Sequence, residues 1–230
     1  MSIVDCEGKT IREINTAIRA LVAEGETEIR VKNPAARHNL GVGLIKPVRV
    51  TFEGSVGYYC GGMGDGPTVE VQGSAGWGLA EGIMGGTVIV RKNAGNGAGA
   101  AIRGGLVVVH GDVSARGGIS MKGGTLLIGG STGYMTGFMM QKGTIIILGN
   151  SGAALGDSLY EGRIFIGGQI GELGNDAVLS DMTTEDAAYL KDTLAPHGYD
   201  AARYDFKKIV AGRKLWNFDK KDFETWKVAL

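Results

Sequence analysis

A 19-residue period runs through the middle of the sequence and limits the possible folds more than any other feature. Seven successive units follow one another without insertion, and the last is truncated near Asp176. The second and fourth residues of every unit are aliphatic or phenylalanine, and the sixth and ninth are glycine except at Lys92 and Ser114. Self-similarity at a fixed period is the signature of a repeat architecture. The units begin at Arg49, Thr68, Thr87, Leu106, Thr125, Thr144 and Arg163.

Each unit combines a short strand pattern with glycine-rich turns. Glycine accounts for 41 of the 230 residues and proline for only 4, which excludes a collagen-like chain, and 35 of the glycines lie between residues 49 and 176. Apolar residues at every second position and frequent glycines argue against an α-helical repeat. A strand of about four residues cannot bury its own face, so each unit must stack on the next.

We therefore expect an all-β core, a right-handed parallel β-helix of about seven 19-residue coils. Left-handed helices built from hexapeptide repeats need a shorter aliphatic period, which the sequence lacks. The second and fourth residues of each unit should point into the lumen. Turn glycines such as Gly133 and Gly152 are expected to adopt positive φ, which a β-branched residue resists.

The flanking segments differ from the repeat and divide the chain into three parts. Residues 1–47 are expected to form an N-terminal cap, in which a capping box at Thr10 opens a helix and a strand follows. Residues 48–176 form the β-helix. Residues 177–230 form a C-terminal helix, opened by Thr183, and an aromatic, basic tail.

The third residue of each unit should point outward, away from the lumen. It is polar in the first two units and apolar in the next five, which gives an apolar stripe along the outside. A monomer rarely leaves such a stripe in contact with water. Either the chain's own terminal segment covers the stripe, or the stripe is a docking face for another subunit. Its members are Ile89, Val108, Leu127, Ile146 and Phe165.

Two clusters outside the repeat are further candidates for a partner interface. One precedes the first unit, and the other lies in the tail, where aromatic and basic residues are close together in sequence. Aromatic residues and arginine are enriched at protein interfaces. The clusters are Arg37, His38 and Asn39, and Arg213, Lys214 and Trp216.

Composition and charge argue against several classes of function. Lysine and arginine number 24, as do aspartate and glutamate, so the formal net charge is zero and a nucleic-acid partner is not expected. No apolar run approaches the roughly 18–20 residues of a membrane helix. The first residues lack the basic segment of a secretion signal, so we expect a soluble, cytoplasmic protein without a membrane partner.

Residues typical of catalysis do not assemble into a pattern in the sequence. The three histidines lie far apart, and Cys60 takes the position that Leu79 and Leu155 hold in other units. Asp157 and Asp176 share the fourteenth position of adjacent units, which would place them roughly 5 Å apart. Such a pair could perform acid–base chemistry on a polysaccharide, although solvated turn residues are the simpler interpretation. We expect no catalytic, cofactor-binding or metal-binding residue in this chain.

The glycine-rich coils, the segment Arg37-His38-Asn39-Leu40-Gly41-Val42-Gly43 and the tail from Phe206 to Phe218 together resemble the glutamate synthase GXGXG domain, over about residues 30–220. The resemblance implies a right-handed β-helix without catalytic residues that holds glutaminase and synthase parts in place. As a separate chain, the sequence is most similar to the stand-alone form, the middle subunit of N-methylglutamate synthase (methylamine–glutamate N-methyltransferase). The β-helical subunit of formylmethanofuran dehydrogenase shares this architecture and is the competing resemblance.

The resemblance also implies partners and cofactors. The expected partners are a glutaminase-type amidotransferase subunit and an FMN-dependent synthase subunit, which also carries an iron–sulfur cluster. The chain itself would be a non-catalytic scaffold, without a cofactor of its own, in a hetero-oligomeric oxidoreductase complex of methylamine metabolism. The alternatives are the β-helical subunit of a formyl-transfer complex and a plain glutamate synthase subunit.

Overall fold

The computed structural model describes residues 1–215, which form one long β-solenoid with two α-helices. The strands are β1 (Ser2–Asp5), β2 (Glu28–Lys32), β3 (Arg49–Glu53), β4 (Thr68–Val71), β5 (Thr87–Val90), β6 (Leu106–Val109), β7 (Lys122–Ile128), β8 (Lys142–Ile147), β9 (Arg163–Ile166), β10 (Ala177–Ser180) and β11 (Lys207–Ala211). The helices are α1 (Ile11–Ala23) and α2 (Thr184–Leu194), and α2 is followed by the 3-10 turns Ala195–His197 and Ala201–Arg203. Strands β1 to β9 stack in chain order as parallel neighbours, and β11 pairs antiparallel with both β9 and β10.

The repeated units stack in register at the predicted period. Val50 of β3 pairs with Val69 of β4, which pairs with Val88 of β5. A second line of single bridges joins the eighth residues of successive coils, for example Val56 with Ala75. Backbone hydrogen bonds therefore run between coils on more than one side of the solenoid. The parallel β-helix predicted from the sequence is confirmed.

Side chains from several positions of each coil fill the lumen. The second and fourth residues are buried as predicted, and Val109, Leu126 and Ile128 are 0% exposed. The twelfth and sixteenth residues point inward as well, among them Leu79 and Ile83. Because apolar burial contributes about 25 cal/mol per Å², this packed interior is the main source of the solenoid's stability.

Positive φ recurs at three alternate positions of each repeated coil except the last: the eleventh, thirteenth and fifteenth. In the coil that begins at Thr87 these are Gly97, Gly99 and Ala101, with φ of 69°, 69° and 53°. Other coils place longer side chains there, including Met63 at 55° and Arg116 at 60°. The left-handed conformation costs a non-glycine residue about 1 kcal/mol, so the coil geometry imposes it whatever the side chain.

The ninth residue is glycine for a reason other than the one expected. Gly133 and Gly152 do not adopt positive φ, so that expectation was wrong. A Cβ on Gly152 would lie 2.9 Å from the carbonyl carbon of Gly133 and 3.0 Å from the nitrogen of Tyr134. A Cβ on Gly133 would lie 2.9 Å from the nitrogen of Ala115. The backbone of the preceding coil therefore occupies the space that a side chain would need.

The stack begins before the first repeated unit. Strand β2 pairs residue for residue with β3, so residues 28–47, part of the predicted N-terminal cap, form an additional coil. Asn39, Gly41 and Gly43 carry the same alternating positive φ, at 53°, 65° and 68°. Strand β1 then adds one more parallel strand beyond β2.

A side chain of α1 takes the place of the coil that would precede the stack. In later coils the thirteenth residue donates its N–H to the coil before it, as Gly61 does to the Leu40 carbonyl at 3.0 Å. Gly41 donates instead to Oδ1 of Asn15, at 2.8 Å. The side-chain nitrogen of Asn15 donates to the carbonyl of Asn39, at 2.7 Å. Asn15 thus satisfies backbone groups at the open end of the ladder.

Both helices begin at the predicted threonines, and the structure shows a capping box at each. Thr10 Oγ1 accepts a hydrogen bond from the backbone N–H of Glu13 at 3.3 Å, and Thr183 Oγ1 accepts one from that of Asp186 at 3.1 Å. Neither of these helices, the two found in residues 1–215, has the length and apolar character needed to cross a membrane.

Residues 182–206, which lie between β10 and β11, fold back over the outward face of the strands; we call them the C-terminal cover. Helix α2 contributes Leu190 and Leu194 to this contact, and both are buried. Of the two alternatives for the apolar stripe, coverage by the chain's own terminal segment is the one observed. Four stripe residues are 0% exposed beneath the cover: Val108, Leu127, Ile146 and Phe165.

The contact between successive backbones predicts a cost for any side chain at the ninth position. We expect Gly152→Ala to lower the free energy of unfolding by about 2 kcal/mol, because the atoms that its Cβ meets are backbone atoms of the ladder. Gly64→Ala is the matched control, since Gly64 also lacks positive φ and its Cβ would lie no closer than 3.3 Å to any atom. Urea denaturation measures both variants, and equal stability would contradict the close-contact explanation.

The recurring positive φ predicts opposite effects for two exposed methionines. Met63, 60% exposed, has a φ of 55°, whereas Met84, 48% exposed, is not among the positive-φ residues. Met63→Gly should raise the free energy of unfolding by about 0.5–1 kcal/mol, because glycine adopts this conformation without strain. Met84→Gly should lower it by a similar amount. Thermal denaturation would contradict this account if both variants moved in the same direction.

Candidate interaction surface

Three aromatic rings stack on the outside of the first coils, and we call His38, Tyr58 and Trp77 the aromatic ladder. The ring centroids of His38 and Tyr58 are 4.3 Å apart with an angle of 15° between the planes. Those of Tyr58 and Trp77 are 5.2 Å apart at 16°. The spacing follows the distance of about 4.8 Å between stacked strands. Glycine in the following coil gives each ring its place; a Cβ on Gly95 would lie 2.5 Å from Cδ1 of Trp77.

Two other large side chains from the same coil as Tyr58 are also open to solvent. Tyr58 is 40% exposed and Trp77 is 54% exposed, and the neighbouring Tyr59 and Met63 are 48% and 60% exposed. We call the ladder together with Tyr59 and Met63 the aromatic face. Exposed apolar clusters on soluble proteins mark interaction sites, and tryptophan and tyrosine dominate the energetics of many interfaces.

The first predicted interface cluster lies at one end of the aromatic ladder. Nδ1 of His38 accepts the backbone N–H of Tyr58 at 2.9 Å, which fixes the imidazole on the stack. Arg37 donates to two carbonyl groups of the loop before it, at 2.8 and 3.2 Å. Asn39 adopts a φ of 53° in its turn. His38 therefore belongs to the aromatic face, while Arg37 and Asn39 hold the loop that positions it.

The other predicted interface residues are separated by the fold. Val108, Leu127, Ile146 and Phe165 are buried under the C-terminal cover, so the docking-face interpretation does not hold for them. Ile89 is partly buried against the same cluster. Arg213 and Lys214 are exposed beyond β11, and Trp216 lies outside the described residues.

One buried carboxylate attaches the C-terminal cover to the solenoid. Asp186, 2% exposed, accepts hydrogen bonds from Nη1 of Arg163 at 3.0 Å and from Nζ of Lys208 at 2.7 Å. Its Oδ2 also accepts the backbone N–H of Thr183, at 3.1 Å. Burial opposes the ionisation of Asp186, but the hydrogen bonds from Lys208 and Thr183 together outweigh it and hold the pKa of this carboxyl below its usual value.

The two aspartates that the sequence places at equivalent positions do not form a pair. The last coil is one residue shorter at this point, since Leu155 bridges to Leu173. Asn175 therefore stacks on Asp157 and donates its backbone and side-chain N–H groups to Oδ2, at 3.1 and 3.0 Å. Asp176 instead accepts the backbone N–H groups of residues 214 and 215. The register shift removes the basis for acid–base chemistry at these carboxylates.

The remaining reactive side chains are distributed between the lumen and the C-terminal cover. Cys60 is buried in the lumen, and burial raises the pKa of its thiol to about 12. The three histidines are far apart in the sequence, yet the fold brings the ring centroids of His110 and His197 to 6.5 Å from each other. Across residues 1–215, no group of three or more histidine, cysteine or acidic side chains converges as metal ligands would.

The aromatic ladder was missed in the sequence, although a signal for it was present. Tyr58 and Trp77 are both the tenth residue of their units, as is Tyr134. In a β-helix, residues one period apart lie directly above one another. Reading every position of the repeat in columns, rather than only the inward and third positions, would have identified the stack.

Comparison with known proteins gives matches of two kinds. No family model matches the chain. Protein GlxC from Rhizobium meliloti (strain 1021) is 43% identical over 83 residues, which are 35% of this chain and 36% of GlxC. The chain thus matches about a third of the length of this curated relative.

The second kind of match is structural. A chain in the X-ray crystal structure of the formyltransferase/hydrolase complex (FhcABCD) from Methylorubrum extorquens, in complex with methylofuran, is similar with a TM-score of 0.67. The sequences are 26% identical, and the alignment covers 78% of this chain and 70% of that chain. This relative is one component of an assembly of several subunits.

The buried contact at Asp186 predicts how the C-terminal cover is held. Asp186→Asn should lower the free energy of unfolding by about 2 kcal/mol, because the amide leaves Lys208 and Arg163 without their counter-charge. The carboxylate's contribution should be complete above about pH 5 and decline below about pH 4, since its pKa is lowered in the folded state. Asp192→Asn, at an exposed position of α2, is the matched control.

Denaturant titrations at neutral and acidic pH test both statements. If Asp186→Asn proved as stable as Asp192→Asn at neutral pH, the anchoring role of the carboxylate would be incorrect.

Proposed function

We propose that this chain is a non-catalytic scaffold subunit of a glutamate-synthase-like complex. The observation that carries the proposal is the aromatic face, which lies on a packed solenoid whose other apolar stripe is already covered. His38, Tyr58 and Trp77 are stacked and exposed at one place, so they form a ready docking surface for a partner subunit. The glutamate-synthase-like assignment is supported by the match to GlxC, which fits such a family.

The physical role of such a subunit follows from its stiffness. Every coil is bonded to its neighbours along the strands and in the turns, so the distance between its two ends varies little. A rigid element can hold two separate active sites at a fixed spacing and orientation, which favours transfer of a small intermediate between them. The chain would contribute position rather than reacting groups.

The particular complex that we favour is N-methylglutamate synthase, with cytoplasmic localisation. Its partners would be a glutaminase-type amidotransferase subunit and an FMN-dependent synthase subunit, and the FMN and iron–sulfur cluster would belong to the latter. This assignment depends on the resemblance of the glycine-rich coils to the stand-alone GXGXG form.

A second candidate is the β-helical subunit of a formyl-transfer complex. The observation in its favour is the structural match to a chain of the formyltransferase/hydrolase complex, which extends over 78% of this chain. In either complex the β-solenoid would be a hetero-oligomeric component. The two candidates differ in the chemistry of the partner subunits.

Purification of the tagged full-length chain from its native source distinguishes them. We expect an amidotransferase subunit and a flavin- and iron–sulfur-containing subunit to co-elute, identified by mass spectrometry and by visible absorption. Formyltransferase and hydrolase subunits in their place would support the second candidate. Recovery of the chain as a monomer would contradict both.

The role of the aromatic face is tested by one substitution in the same experiment. Trp77→Ala should weaken binding of the co-eluting subunit by about tenfold or more, because a central tryptophan is a typical hot spot. Tyr134→Ala is the matched control, since Tyr134 is also a tenth residue and is 50% exposed, three coils away. Affinity measurements on both variants, with folding checked by circular dichroism, would contradict the proposal if Trp77→Ala had no larger effect.

A further inference from the structure

The C-terminal cover meets the solenoid at a polar contact that contains a titratable side chain. His110 directly follows β6, and its ring lies between the guanidinium of Arg91 and the hydroxyl of Tyr199 in the cover. Nη1 of Arg91 is 3.2 Å from Nε2 of His110, and Oη of Tyr199 is 2.9 Å from Nδ1. The ring of His197, which also belongs to the cover, approaches edge-on with 6.5 Å between centroids.

These contacts define the protonation state of His110 when the cover is in place. A guanidinium nitrogen can only donate, so Nε2 must accept and carries no proton. The proton of the neutral ring is therefore on Nδ1 and is donated to the hydroxyl oxygen of Tyr199. The tyrosine O–H in turn faces the carbonyl oxygen of His110, at 3.5 Å. The closed arrangement requires a neutral imidazole.

The groups around His110 oppose its protonation. Burial, the charge of Arg91 and the nearby His197 lower the pKa of His110, in that order, while Glu70 acts in the opposite direction. Glu70 is already bonded to Arg91, with 2.8 Å between Oε1 and Nε. Burial and Arg91 also lower the pKa of His197, and burial, first among its causes, raises that of Tyr199.

We propose that the contact between His110 and Tyr199 is a proton-sensitive latch, which holds one corner of the C-terminal cover at neutral pH and releases it in mild acid. Protonation places a second N–H donor on a partly buried ring, against a guanidinium that is already cationic. The imidazolium is hydrated once Tyr199 and His197 move away. The proton therefore binds the open state more tightly and increases its population.

The latch acts on residues 197–204 and leaves the rest of the C-terminal cover attached. Asp186 stays ionised in mild acid because its pKa is lowered. The closed corner contributes stability above the ordinary histidine pKa of about 6.5 and loses it as the pH falls below that value, since the pKa of His110 in the closed state is lowered.

Amide hydrogen exchange on the full-length chain at about pH 7.5 and 5.5 tests the latch. The reporters are the N–H groups of Tyr199, which donates to the Leu194 carbonyl at the end of α2 at 3.3 Å, and of Arg203, which donates to the Asp200 carbonyl at 3.1 Å. After correction for intrinsic exchange rates, we expect about threefold or more additional opening at the lower pH. Glu24, which directly follows α1 and whose N–H donates to the carbonyl of Ala20 at 2.9 Å, should show no such increase. An unchanged opening population in the corner would overturn the proposal.

Substitutions identify the group that binds the proton. His110→Gln can still accept from Arg91 and donate to Tyr199, but it does not titrate, so the increase in acid should disappear. His197→Gln is the control and should retain most of it. An undiminished increase in His110→Gln, or its complete loss in His197→Gln, would show that the proton acts elsewhere.

Arg91→Gln keeps the test decisive if His110→Gln does not fold. Without the guanidinium, His110 accepts its proton more easily while the cover is closed. The increase in opening should then be smaller than in the unmodified chain. An equal or larger increase would overturn the proposal.

Discussion

Close contact between successive backbones is the constraint on which this structure depends. Coils that are hydrogen-bonded at about 4.8 Å leave no room for side chains where one turn lies flat against the next. Glycine is required at Gly133 and Gly152 because backbone atoms of the previous coil occupy the adjacent space. The same spacing sets the separation of the rings in the aromatic ladder, so the hydrogen-bonded backbone also determines the arrangement of these surface side chains.

The two ends and the outward faces of the solenoid are treated differently. At the first coil, Asn15 replaces the backbone of a missing neighbour. At the other end, the C-terminal cover follows the last strands and is anchored by Asp186, a single carboxylate shared by the helix cap and two strands. The apolar stripe is thereby internal, whereas the aromatic face stays open. This difference is why we assign partner binding to the aromatic face.

The sequence predicted the architecture well because the period itself carries the information. Inward residues, the capping box at Thr10, the start of the second helix at Thr183 and the parallel register all follow from spacing and residue type. The sequence predicted less well those features that depend on contacts between coils. The sequence predicted positive φ at the ninth position, whereas glycine is needed there because of the neighbouring backbone. The one-residue shift at Asn175, which separates Asp157 from Asp176, breaks a period that the preceding coils follow. The contacts of the C-terminal cover depend on tertiary packing, so no local sequence pattern predicts the hydrogen bond between Tyr199 and His110.

The uniform coil also has a consequence for how such a column can change. Because each coil contacts only its immediate neighbours, an insertion of one or two residues would put every later side chain out of phase, whereas a whole 19-residue coil could be added or removed with both ends intact. The length of the solenoid can therefore change only in increments of about 4.8 Å. The separation of any partners bound at the two ends of such a molecule could therefore change only in steps of one whole coil.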